Sequence, residues 1–226
     1  MKILAFDTST EACSVGISVD GALLEHFSIP EQKQTQILLP IIEELLEQAG
    51  MKLSDLDVIA YGQGPGAFTG VRLAVSAAQG LGFSANVPVT GVSTLAVVAQ
   101  HAYTKHQAQN VLIAMDARMS EVYFAAYTFN HEGQIEPQSE EQVVSLADVP
   151  MPLEGEWVAV GTGWDEYPDD KPADYSSRVT KTIGTLYPDP ASLITLATAA
   201  VLNKHTLPAA QAVPVYLRNN VVRTPG

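Results

Sequence analysis

The stretch Tyr61-Gly62-Gln63-Gly64-Pro65-Gly66-Ala67-Phe68-Thr69-Gly70-Val71-Arg72-Leu73 constrains this chain most, because an apolar run stops at closely spaced glycines and restarts as a helix. Val58 to Tyr61 reads as a buried strand, Gly62 to Gly66 as a loop needing unusual backbone angles around Pro65, and Thr69 as the N-cap of the next helix. Strand, glycine loop and capped helix make an α/β crossing, which can present bare backbone N–H groups to an anion. No Lys-Ser or Lys-Thr pair follows, so this is not a Walker loop, and the glycine spacing departs from GxGxxG. A tight turn between packed elements is the alternative reading.

The helix that follows, Gly70 to Asn86, carries one charge, Arg72, on a body of small and apolar residues including Ala74, Ala78 and Leu81. A surface helix should show a polar face, so this one is expected to be covered on more than one side. An earlier helix, Gln34 to Gly50, holds Leu38, Ile42, Leu45 and Leu46 among an apolar set wider than one core needs, and Pro40 is admissible there only near the first turn. Both point to a helix–helix interface, within the domain or with another chain.

At 226 residues and 46% hydrophobic the chain can form one domain or two small ones with an ordinary core. The opening Met-Lys-Ile-Leu-Ala-Phe reaches Asp7 too soon for a signal peptide, and the single Cys13 fits a reducing compartment, so cytoplasm is expected. Net charge is −13 with 12 Lys and Arg, and no basic stripe exists to grip phosphates. If RNA is involved, something else holds it.

In chain order, Lys2 to Thr8, Ala12 to Val19 and Ala22 to Ile29 read as a meander with Asp20-Gly21 as its second turn. Its first turn, Asp7-Thr8-Ser9-Thr10, offers hydroxyls and backbone N–H groups to a phosphate and Asp7 to Mg²⁺ or a water. The alternative is that Asp7 and Thr8 only satisfy the turn backbone. After the glycine loop, Pro88 to Val92 is a strand and Ser93 or Thr94 caps a helix to Tyr103. Val111 to Met115, ending at Asp116-Ala117-Arg118, and its hairpin partner Val122 to Phe129 repeat the opening arrangement, which suggests an internal duplication. The stretch 130–152 reads as polar loop with a short helix near Leu146-Ala147-Asp148. Trp157 to Val160 is a strand, Gly161-Thr162-Gly163 reads as a turn, with close approach to a nucleotide base as the alternative, and Tyr167 to Tyr175 is an exposed loop. Pro190 begins a helix to Asn203. The tail carries Arg218 and Arg223.

The five histidines, His26, His101, His106, His131 and His205, form no HExxH, Cys13 has no local activator, and no G-x-S-x-G occurs.

Ile3 to Thr10, Tyr61 to Arg72, Gly91-Val92-Ser93-Thr94-Leu95, Asp116-Ala117-Arg118 with Glu121-Val122-Tyr123, and Val215-Tyr216-Leu217-Arg218 together resemble the bacterial TsaB (YeaZ) family, in family order from end to end. The G-P-G-x-F-T-G-x-R block is the specific one, and related TsaD subunits share a version of it. The resemblance implies an α/β chain of the actin/sugar-kinase/Hsp70-like superfold, with two ribonuclease-H-like lobes, each a mixed sheet flanked by helices. Residues 1–105 would form the N-terminal lobe with partner-binding helices, and 106–226 the C-terminal lobe, its last segment packing back on the first.

It further implies a non-catalytic scaffold that binds TsaD, with TsaE, for threonylcarbamoyl transfer to adenosine in tRNAs reading codons that begin with A. Contact with tRNA would be indirect, with no membrane, and the free chain would form a homodimer exclusive with the TsaD heterodimer. No catalytic or metal residue and no required cofactor are expected, with room for ATP or ADP at the complex interface. Asp7, Thr8, Ser9 and Thr10 are the residual phosphate site. Leu38, Ile42, Leu45, Leu46, Arg72, Ala74, Ala78 and Leu81 are the expected partner interface.

The chain departs from the pattern twice. Lys33, Gln34 and Gln36 stand where TsaD-type proteins place metal-binding histidines, and Asp116-Ala117-Arg118 lacks the glycine of a working second phosphate hairpin. A small-molecule kinase of the same superfold and a glycopeptidase-like metalloenzyme are the competing readings.

Overall fold

The computed structural model describes residues 1–152 and 154–218; Arg223 lies outside the described residues. Strands β1 (Lys2–Asp7), β2 (Cys13–Val19) and β3 (Ala22–Ser28) form the expected meander, turned at Asp20 and Gly21, both with positive φ. Then come α1 (Gln34–Gln48), β4 (Val58–Gly64), α2 (Phe68–Ala85), β5 (Val89–Ser93) and α3 (Thr94–His106). The second half holds β6 (Asn110–Asp116), β7 (Val122–Phe129), β8 (Ile135–Pro137), β9 (Gln142–Val144), β10 (Trp157–Val160), α4 (Gly163–Glu166), α5 (Tyr175–Arg178), β11 (Val179–Ile183) and α6 (Pro190–Leu202).

The duplication is visible in the sheets. The first runs β3-β2-β1-β4-β5 and the second β11-β10-β6-β7-β8, with β9 also on β7. In both, the first hairpin and the strand beyond it are antiparallel, and the last two strands are parallel. Two such lobes are the ribonuclease-H-like units of the actin/sugar-kinase/Hsp70-like fold. Strands buried on both faces read as continuous apolar runs, which is why the central ones were legible.

The period-2 alternation assigns each face its cover. Leu4 and Phe6 meet α1 and α2, while Ile3 and Ala5 meet Leu193, Ile194 and Ala197 of α6. In the second sheet Val111 and Ile113 meet α3, and Leu112 and Ala114 meet Trp164 and Tyr175. Helix α3 follows the first sheet yet packs on β6 and β7 of the second, and α6 follows the second yet packs on β1 of the first. This exchange locks the halves together through α3 and α6, which also touch each other.

Several expectations need correction. Leu38, Ile42, Leu45, Leu46, Ala74 and Ala78, expected at a partner interface, are buried in the first lobe's own core. In α1 the buried set is Leu38, Ile41, Ile42, Leu45 and Leu46, one ordinary helical stripe, and in α2 it is Gly70, Val71, Ala74, Val75, Ala78 and Gly82. The real excess is smaller: Leu39 and Phe83 are exposed, the latter 80%, and Leu81 is half-buried. Pro40 sits in the second turn of α1, not the first, on the exposed face. Thr69 is not an N-cap. Ala67 holds that position without a side-chain bond, and its N–H donates to the Ser9 carbonyl at 2.7 Å. Strand β4 continues through Gly64, β8 and β9 fall where loop was expected, β11 lies in a stretch for which the sequence offered no element, and Tyr175 is buried rather than in an exposed loop.

The candidate site between two acid-bearing turns

The β1–β2 and β6–β7 turns face each other across a cleft of about 820 Å³. Its walls include Ser9, Thr10 and Glu11 from the first turn, Met115 to Arg118 from the second, and Pro65 to Phe68 with Arg72 from the start of α2. Thr162, Asp165, Tyr187 and the segment Val215 to Arg218 complete it.

The first turn is closed on itself. Asp7 is fully buried, and its Oδ1 accepts the Ser9 N–H at 2.7 Å and the Ser9 hydroxyl at 2.6 Å. Its Oδ2 lies 3.2 Å from the Thr94 hydroxyl, against Gly62, where any Cβ would collide with the carboxylate. Burial raises the Asp7 pKa despite these bonds from Ser9 and Thr94. A carboxyl whose charged form burial disfavours, and whose oxygens already accept bonds, is a poor cation ligand. Thr8 is buried too, its hydroxyl donating to the Gly70 carbonyl at 2.7 Å, and a Cβ on Gly70 would strike the Thr8 carbonyl oxygen. Asp7 and Thr8 therefore do not line the cleft as a phosphate site would require. Of the four expected residues only Ser9 and Thr10 reach it. Asp7 serves the backbone of their turn, and Thr8 ties that turn to the start of α2.

Gln34, which stands where the resemblance would place a metal-binding histidine, has a different task. Its side-chain amide donates to the Thr10 and Ala12 carbonyls at 2.9 and 2.7 Å, tying the start of α1 to the turn. An amide nitrogen so committed offers no lone pair to a metal. Among the described residues no three His, Cys, Asp or Glu side chains converge on a common point.

The second turn is built differently. Asp116 Oδ1 accepts from the Arg118 N–H and the Tyr167 hydroxyl, each at 2.8 Å, and Oδ2 pairs with the Arg118 guanidinium at 2.9 Å. Burial, then the Asp116 carboxylate, pushes the Tyr167 phenol up to about 12. Without a glycine the backbone still turns left-handed, with φ of 62° at each of Arg118, Met119 and Ser120. Left-handed backbone at a residue with a Cβ costs about 1–2 kcal/mol. The neighbouring contacts must hold it. Arg118 also reaches Glu11 across the cleft at 3.8 Å, an exposed pair of small value.

Sequence reasoning missed Glu11, Phe68, Thr94, Tyr167 and Tyr216. Thr94 lies 87 residues from Asp7, and no local spacing signals such a pair. Thr162, read as part of a turn, accepts the Asp116 N–H at 2.9 Å, and the equivalence of β4 and β10 to each other was the available clue.

Comparison with known proteins fits this architecture. A family model described as "TsaD: tRNA N6-adenosine threonylcarbamoyltransferase" matches residues 28–223. The tRNA threonylcarbamoyladenosine biosynthesis protein TsaB of Escherichia coli strain K12 is 42% identical over 98% of this chain and 96% of its own length. Its Haemophilus influenzae namesake is 37% identical over 98% and 95%. A Pseudomonas aeruginosa structure described as YeaZ superposes with a TM-score of 0.89 at 41% identity, covering 96% of this chain and 99% of that one. Another, described as an uncharacterized protein with similarity to peptidase YEAZ, gives 0.90 at the same identity and coverage.

Proposed function

The chain belongs to the TsaB family of tRNA threonylcarbamoyladenosine biosynthesis proteins, and on that premise we propose that it acts as a non-catalytic subunit. It binds TsaD, with TsaE, and supports threonylcarbamoyl transfer to adenosine in tRNAs that read codons beginning with A. One observation carries the non-catalytic reading: the carboxyls at the ends of β1 and β6 are both occupied by protein partners, Asp7 by Ser9 and Thr94, and Asp116 by Arg118 and Tyr167. A phosphoryl-transfer or metal-dependent peptidase site needs such a group facing the substrate.

TsaD is the partner, and the outward face of α2 is the surface we assign to it. There Arg72, Ser76, Gly80 and Phe83 are exposed, flanked by half-buried Leu73, Ala77 and Leu81. A Cβ on Gly80 would meet nothing within 4 Å, so a second helix can approach closely. The same face would form the homodimer when the chain is alone. The chain divides into lobes near residue 105, with α3 packed on the second lobe and α6 back on the first, ATP or ADP enters only at the complex interface, and tRNA is reached through TsaD. The net charge of −13 supports the last point. No helix among the described residues is long and apolar enough to cross a membrane, and we place the complex in the cytoplasm.

Gel filtration of the purified chain with TsaD tests this reading. A stoichiometric complex is expected, and Ser76→Glu should weaken it by about two orders of magnitude. A folded Ser76→Glu chain that co-elutes unchanged would move the interface off α2.

A further inference from the structure

The segment 213–218 has no regular structure, yet it is tied down at both ends of its path. At the first lobe the Val215 N–H donates to the Gln63 carbonyl at 2.8 Å, and Gly64, with φ of 96°, leaves room that a Cβ would take from the Val215 carbonyl. One residue on, the Tyr216 hydroxyl accepts from Arg72 Nε at 2.7 Å, its ring stacks on Phe68 with centroids 5.9 Å apart, and the Arg72 guanidinium lies 3.5 Å over the Phe68 ring. The segment then leaves α2 and reaches the other lobe.

There Arg218 grips the second acid-bearing turn. Its guanidinium donates to the Ala117 carbonyl at 3.2 Å and the Arg118 carbonyl at 3.4 Å, contacts Met119 Sδ at 2.9 Å and pairs with Glu121. These contacts fall on Arg118 and Met119, two of the three successive left-handed positions, and on Ala117 and Glu121, which flank them. A strained turn persists only where its surroundings over-determine it. Val215 to Arg218 also line the cleft, so the same few residues form part of its wall and join its two sides.

We propose that residues 213–218 are a strap across the cleft, anchored by Tyr216 on Phe68 and Arg72, and that Arg218 is its latch on the 117–121 turn, holding the lobes in the closed arrangement. Release of the latch removes the support of the left-handed turn, lets that turn relax and allows the lobes to separate. The strap sets cleft width independently of any partner.

Spin labels on Lys52→Cys and Glu132→Cys, exposed positions on opposite lobes, read the lobe separation in the full chain, with buried Cys13 left in place. Hydrogen exchange at the amides of Ala117 and Glu121, which are bonded within the turn, reads its stability. Arg218→Ala is expected to shift the interlabel distances to longer and broader values and to speed exchange about tenfold or more, the scale of losing charge-assisted bonds. Arg218→Lys, which keeps the charge but not the planar fork, should fall between. A folded Arg218→Ala chain with unchanged distances overturns the proposal, whether or not exchange quickens, because a latch that stiffens only its own turn does not close the cleft. Should Arg218→Ala fail to fold by circular dichroism, Tyr216→Ala unhooks the other end and is judged by the same outcomes.

Discussion

Thr94, the first residue of α3, places its hydroxyl 3.2 Å from Asp7 Oδ2, so the acid at the end of β1 is completed by the helix that covers the opposite sheet. The pair joins the turn to the exchange of helices between lobes. Removing the carboxyl leaves the buried Ser9 N–H and hydroxyl without their acceptor, while the Thr94 hydroxyl keeps Ser9 Oγ at 2.9 Å, and Asp7→Ala should cost about 1–3 kcal/mol in denaturant unfolding.

Asp7→Asn should behave differently, because it keeps an acceptor without the charge. Burial raises the Asp7 pKa above its ordinary 3.8, so the folded chain keeps a proton that the unfolded chain has released. The favourable contribution of this group is therefore full below the ordinary value and is lost as pH rises through the folded one. The stability of Asp7→Asn minus that of wild type should grow over that interval and then level off. Urea unfolding at several pH values measures it, and a difference that shrinks as pH rises would contradict the assignment.

Two neighbouring positions on α2 should separate folding from association. Ala78 is fully buried and Ser76 is exposed. Ala78→Glu buries an unpaired carboxylate and should destabilise the chain by several kcal/mol, whereas Ser76→Glu should leave the melting temperature nearly unchanged. In the complex the second substitution meets the same penalty at the interface, and its affinity for TsaD should fall by about two orders of magnitude. Calorimetric titration after a thermal melt distinguishes them.

Close packing at the glycine stretch gives a third expectation. A Cβ at position 70 collides with the backbone of Thr8, which has no flexible side chain to yield. Gly70→Ala should therefore destabilise the chain by about 1–3 kcal/mol or more, the scale of overpacking, while Gly80→Ala, where nothing lies within 4 Å, should be neutral or slightly stabilising in the free chain. Equal melting shifts for the two would refute the packing argument.

Cys13 is buried, and burial, then the Asp7 carboxyl, pushes its thiol up to about 11. The thiolate is the reactive form, so a disulfide reagent at pH 8 should label it no faster than the chain opens. Rapid stoichiometric labelling of the native protein would show that β2 is exposed.

Central strands and the duplicated hairpins were legible because apolar runs and turn residues are local signals. What the two helices bury was not. Leu38 to Leu46 and Val71 to Gly82 are apolar enough to suggest two faces, and only their packing shows that one stripe takes nearly all of it, leaving Leu39 and Phe83 outside. Strands β8, β9 and β11 are short and half-exposed, so their pattern carries little information. The hydroxyls and carboxyl of the first turn are legible as residue types, but whether Asp7 faces a ligand or the interior depends on Thr94 and Gly62, both distant in sequence. The strap likewise joins residues 144 apart, Arg72 and Tyr216, whose pairing no periodicity announces.

Reconstituted threonylcarbamoyl transfer, with TsaD, TsaE, threonylcarbamoyl-adenylate and tRNA, tests the non-catalytic role most directly when the chain carries Asp7→Asn and Asp116→Asn together. Each substitution keeps the one oxygen that holds its turn and replaces the other by an amide nitrogen, so neither residue can act as a metal ligand or a general base. The account predicts transfer within about twofold of wild type, the spread of a change that leaves binding intact, and none from the chain without TsaD. A folded double variant that binds TsaD normally yet supports no transfer would contradict it.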